Sequence, residues 1–69
     1  MNFTTGRTYR FELRKRYRTF FGPHISPAFN RVYIRRVGVV DVFKSPTASW
    51  VESFTLEQLK DFDIREVRA

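Results

Sequence analysis

Residues 50–67 read WVESFTLEQLKDFDIREV, and the succession of patterns within them decides the fold. Residues 50–56 alternate, with Trp50, Phe54 and Leu56 on one parity and Val51, Ser53 and Thr55 on the other, which predicts a half-buried β-strand with the first set inward. Thr55-Leu56-Glu57-Gln58 then has the form of a capping box, with Thr at the N-cap and Gln at N3. Leu56, Leu59 and Phe62 follow at spacing three, which fits one short helical turn. Residues 63–67, DIREV, give a last short strand carrying Ile64.

Working back toward the N-terminus, residues 44–49 (KSPTAS) read as a turn around Pro46. Residues 31–43 (RVYIRRVGVVDVF) are the most strand-like stretch. Val32 and Ile34 share one parity, and Arg31, Tyr33 and Arg35 the other. The register breaks at Arg36-Val37-Gly38 and resumes on the even parity with Val40 and Val42. Gly38 there predicts a bulge or bend that lets one long strand serve two sheets. Residues 19–30 (TFFGPHISPAFN) hold Gly22, Pro23 and Pro27 and read as a long loop, unusual in carrying Phe20, Phe21, Ile25 and Phe29. Such a loop either folds over the end of the core or presents its aromatics outward. The first is favoured because exposed apolar patches are uncommon on monomers. Residues 8–18 (TYRFELRKRYR) alternate again, with Tyr9, Phe11 and Leu13 inward, in a strand that ends or twists near Lys15.

The expected order is strand, long loop, bent long strand, turn, strand, helical turn, short strand, in one domain over residues 1–69. That is the plan of small SH3-like and Sm-like β-barrels of about five strands, which close a sheet on itself and hide most of its edges. An open antiparallel sheet with the loop packed on one face is the alternative. At residues 53–67 the chain resembles the closing segment of the WYL domain family, itself a small Sm/SH3-like barrel. Phe54, Leu56, Leu59 and Ile64 match that segment's apolar places. The family's Trp-Tyr-Leu triplet is absent, and Glu57 and Gln58 stand where its usual Arg lies beside the helical turn. In size, basicity and element order the chain is also similar to short phage-encoded proteins described as SH3-like barrels.

Charge is unevenly placed. Residues 1–40 hold nine Lys/Arg against the single acid Glu12, whereas residues 41–69 hold four against six acids. Like charge concentrated in a small domain raises the cost of folding and is easiest to rationalise if a polyanion docks there. Arg supplies ten of the thirteen cations. Its planar fork suits phosphate, and it is also a frequent anchor at protein interfaces.

Catalytic chemistry finds little support. There is no Cys, so no thiolate nucleophile, disulfide or thiolate metal site is available, which fits a reducing cytoplasm. His24 is the only histidine and lies in the loop beside Pro23; Gly6, Gly22 and Gly38 are isolated and form no phosphate loop. No apolar run has the ~20 residues needed to cross a bilayer, and residues 1–6 lead straight into the Arg-rich segment without a signal-type apolar stretch. The expectation is a non-enzymatic, cofactor-free, metal-free binding module.

Two partners fit. The first is nucleic acid, DNA or RNA, held on an Arg-rich sheet face by Arg10, Arg14, Arg16, Arg31 and Arg35, with Tyr33, Phe20 and Phe21 as base-stacking residues. The second is an acidic host protein, bound by a phage-type inhibitor or adaptor that seats the apolar loop of residues 19–30 in a groove and uses Arg for steering. Self-association through an unpaired edge strand is compatible with either.

Overall fold

In a computed structural model, which describes residues 2–14 and 28–68, the chain is mostly β. Among the described residues the elements are β1 (Thr8–Leu13), β2 (Ala28–Val37), β3 (Val40–Lys44), β4 (Val51–Thr55), one short helix α1 (Leu56–Leu59) and β5 (Phe62–Glu66). All five strands lie antiparallel in one sheet of order β4-β3-β2-β1-β5. Phe54 of β4 and Phe62 of β5 belong to opposite ends of that order, yet their rings stand 6.4 Å apart. The sheet therefore coils, barrel-like, until its two edge strands face each other across the core, with α1 linking them.

The core is aromatic because period-2 alternation places one large ring on each strand. Phe11, Phe43 and Leu59 are fully buried, and Tyr9 and Tyr33 nearly so. Phe11 touches one ring from each of the other strands: it stacks on Phe29 at 5.2 Å and meets Phe43 at 5.0 Å, Phe54 at 5.3 Å and Phe62 at 5.6 Å. Each such pair adds about 0.5–1.5 kcal/mol beyond the area it removes from water. The segment before β1 completes this core. Phe3 sits 4.9 Å from Tyr9, 5.3 Å from Tyr33 and 5.1 Å from Phe43. The Gly6 N–H donates to the Tyr33 carbonyl at 2.9 Å, and the Thr5 hydroxyl to the Ile34 carbonyl at 3.0 Å.

Several expectations need correction. Gly38 does not bend one long strand; with Val39 it makes a two-residue hairpin turn between β2 and β3. Gly38 has φ +61° while Val39 stays at negative φ, the combination of a type II′ turn. The bulge lies instead between Tyr33 and Arg35, where the β2–β3 register shifts. Because the chain reverses, Asp41 and Phe43 face inward, and Val40 and Val42 face outward. Residues 28–30 belong to β2 rather than to a loop, and Phe29 packs on the core. Leu56, expected inward, is half exposed.

The capping box and the short helical turn are present as expected, although Phe62 begins β5 instead of continuing the turn. Thr55 accepts from the Gln58 N–H at 3.2 Å, and the Gln58 side chain accepts from the Thr55 N–H at 2.9 Å. Leu59 carries the helix's burial. The residue 44–49 turn is held by the Ser45 hydroxyl oxygen, which accepts from the N–H groups of Thr47 and Ala48 at 3.3 and 3.1 Å, as Ser does in local side-chain turns.

Candidate functional site

The outward face of the sheet carries several charged side chains. Cross-strand partners share a face, so the register reads it directly. Arg10 of β1 lies between Asn30 of β2 and Arg65 of β5, and Glu12 lies between Ala28 and Asp63. Val32 lies between Thr8 and Lys44, and beyond the bulge Arg35 pairs with Val42. Arg14, just past β1, continues the outward parity: its Nη1 stands 3.1 Å from Asp63 Oδ1, and its Nε–H donates to the Lys60 carbonyl at 2.6 Å. Among the described residues, this face holds Arg10, Arg14, Arg35, Lys44 and Arg65 against Glu12 and Asp63. Both acids sit at the corner where β1 and β5 pair.

At that corner a cleft of about 130 Å³ is lined by Arg10, Glu12, Asp63 and Arg65. Arg10 Nη1 is 3.8 Å from Glu12 Oε2, a loose contact between half-exposed groups that contributes roughly 0–1 kcal/mol. No ion pair within the described chain occupies Arg35, Lys44 or Arg65. The outward valines Val32 and Val42, cross-strand partners of Lys44 and Arg35, are only partly exposed.

Two residues expected on this face point the other way. Arg31 pairs with Tyr9, and Tyr33 with Phe43, so both belong to the inward parity. The Arg31 side chain is only 17% exposed and bonds Glu52 Oε1 through Nε at 2.5 Å. Its guanidinium lies 4.5 Å from the Phe29 ring centroid and 4.6 Å from that of Trp50. Arg31 thus roofs the rim of the core between β2 and β4. Tyr33 is likewise buried, its hydroxyl donating to Asp41 Oδ1 at 2.9 Å. Burial pushes this phenol above its ordinary value of 10.0, and the Asp41 carboxylate, by accepting its hydrogen bond and by its charge, pushes it further. Tyr33 is a core residue, not a stacking platform.

The expected row of Arg31, Tyr33 and Arg35 beside Arg10 and Arg14 therefore does not form. Phe29 fixes the parity of β2 at its start, and the bulge returns only Arg35 to the outer face. Arg16, Phe20 and Phe21 lie outside the described residues. Lys44 and Arg65, which the charge count hid in an acidic half, join the face; alternation around Phe43 and Ile64 is the pattern that marks them. No helix among the described residues is long and apolar enough to cross a membrane. No family model, curated protein or solved structure matches the chain.

Proposed function

We propose that this chain is a non-enzymatic binding module that holds the phosphate backbone of nucleic acid against the outward face of an SH3-like sheet, inside a cytoplasm. The observation that carries the reading is the gathering of Arg10, Arg14, Arg35, Lys44 and Arg65 on one face, with Glu12 and Asp63 confined to one corner. Guanidinium and ammonium donors there meet phosphate oxygens without reading base edges, so sequence preference is weak. The described part of the face has no aromatic side chain, which favours backbone contact over base stacking.

A labelled oligonucleotide titrated at rising salt tests this. Binding weakens with a log–log slope of about 0.7–0.9 per phosphate contacted, and the double charge reversal Arg35→Glu with Lys44→Glu weakens it further. Absence of binding even at low salt overturns the proposal.

A protein partner is the second reading, supported by the β2–β3 hairpin tip. Val37 is 50% and Val39 76% exposed there, beside Arg35 and Arg36. An apolar tip ringed by cations suits a groove on an acidic protein. Recovery of one protein from a lysate regardless of nuclease treatment favours this reading over the first.

A further inference from the structure

We propose that two copies of this chain associate through their β5 strands, antiparallel about Ile64, to form one continuous ten-stranded sheet. The argument starts from the phase of the β1–β5 hydrogen bonds. The Val67 N–H donates to the Thr8 carbonyl at 2.8 Å, and the Arg14 N–H to the Asp61 carbonyl at 3.0 Å. Hydrogen-bonded pairs recur at every second residue of an antiparallel ladder. Asp63 opposite Glu12 and Arg65 opposite Arg10 fall on that phase, so their backbone groups point at β1. Phe62, Ile64 and Glu66 point theirs toward the open side, where no backbone partner meets them among the described residues.

A strand edge of this kind accepts another strand, and the side chains select which. Pairing Ile64 with the second copy's Ile64 sets Phe62 against Glu66 and leaves every open-side group of the three residues with a counterpart. It also sets Asp63 against the second copy's Arg65, twice by symmetry, at the positions where an antiparallel ladder brings side chains closest. The neighbouring registers that keep the same hydrogen-bond phase pair Phe62 with Ile64 or Ile64 with Glu66. The first puts Asp63 against Asp63 and the second Arg65 against Arg65. Counting the charge pairs within the two β5 strands, only the Ile64-centred register is attractive.

That register also relieves a conflict within each chain. On the outer face Arg10 stands directly opposite Arg65, and Glu12 directly opposite Asp63, arrangements that destabilise a sheet. In the pair, each row runs Arg10, Arg65, then the second copy's Asp63 and Glu12. Asp63 and Arg65 are both exposed; Asp63 meets only Arg14, at 3.1 Å, and no ion pair within the described chain occupies Arg65. The other edge, β4, is poorer: the Thr55 N–H is already held by Gln58, and its outward residues Val51, Ser53 and Thr55 carry no charge. The inference shares Arg65 with the nucleic-acid reading but does not need it to be correct, and Arg35 and Lys44 remain outward on both wings.

Sedimentation equilibrium over a concentration series, without nucleic acid, tests it on the full chain. The wild type dimerises reversibly. Asp63→Arg and Arg65→Asp each weaken dimerisation ~10-fold or more by setting like charges across the junction. Arg65→Asp puts opposite charge against Arg10; Asp63→Arg does so against Glu12 while giving up the exposed Arg14 pair, and circular dichroism follows the folding of each. An equimolar mixture of the two variants restores a dimer, because every junction pair is again of opposite sign. A wild type that stays monomeric to millimolar concentration overturns the proposal, as do single variants that dimerise as tightly as the wild type.

Discussion

The Tyr33 hydroxyl donates to the Asp41 carboxylate at 2.9 Å, and both side chains are closed from water on the core side of the β2–β3 hairpin. Asp41 stands opposite Arg36, one pair from the turn, so the contact ties the hairpin near its tip to the core. Removing the hydroxyl with Tyr33→Phe leaves a buried carboxylate short of a donor, at a cost of about 1–3 kcal/mol. Urea unfolding at neutral pH measures this.

The same contact sets a pH dependence. The folded phenol titrates above the unfolded value of 10.0, so its contribution is complete below pH 10 and is lost as pH rises through the higher folded value. Thermal unfolding of wild type between pH 8 and 11 is expected to show a steeper alkaline decline than Tyr33→Phe. Equal slopes contradict it.

Phe11→Ala removes a fully buried ring that touches four others. The expected loss is about 3–5 kcal/mol, comparable with all that a core of this size supplies. Circular dichroism should show an unfolded chain at 25 °C, while Phe11→Leu remains folded with a lowered melting temperature.

Arg31 separates structure from binding. Arg31→Ala strips a half-buried Glu52 of its partner and uncovers Phe29 and Trp50, costing about 1–3 kcal/mol with a change in Trp50 fluorescence. Because Arg31 faces inward, oligonucleotide affinity of the folded variant stays within about twofold of wild type, against the larger loss expected for Arg35→Glu with Lys44→Glu.

Gly38→Ala costs roughly 1–2 kcal/mol, because a Cβ at φ +61° meets its own backbone although no neighbour lies within 4 Å. Gly38→Asn costs less, Asn tolerating that region. Chemical denaturation ranks the two.

Where local chemistry decides structure, the chain could be read directly. The capping box at Thr55, the single helical turn on Leu59 and the inward set Tyr9, Phe11 and Leu13 follow from spacing alone. The candidate site was harder, because a strand's outward set depends on where it starts and whether its register slips. Phe29, hidden among the prolines and glycine of an apparent loop, reverses the parity assigned to Arg31 and Tyr33. The slip after Tyr33 depends on pairing with β3, which no local pattern reveals. Arg65 and Lys44 were obscured because net charge was summed along the chain, whereas charge acts across neighbouring strands.

β1 lies between β2 and β5, so the chain's first strand finishes its pairing only against its last. During synthesis one side of β1 stays unpaired until Glu66 has left the ribosome. Loop closure over that separation has to precede the contacts that reward it, which sets refolding on the millisecond-to-second scale typical of such topologies.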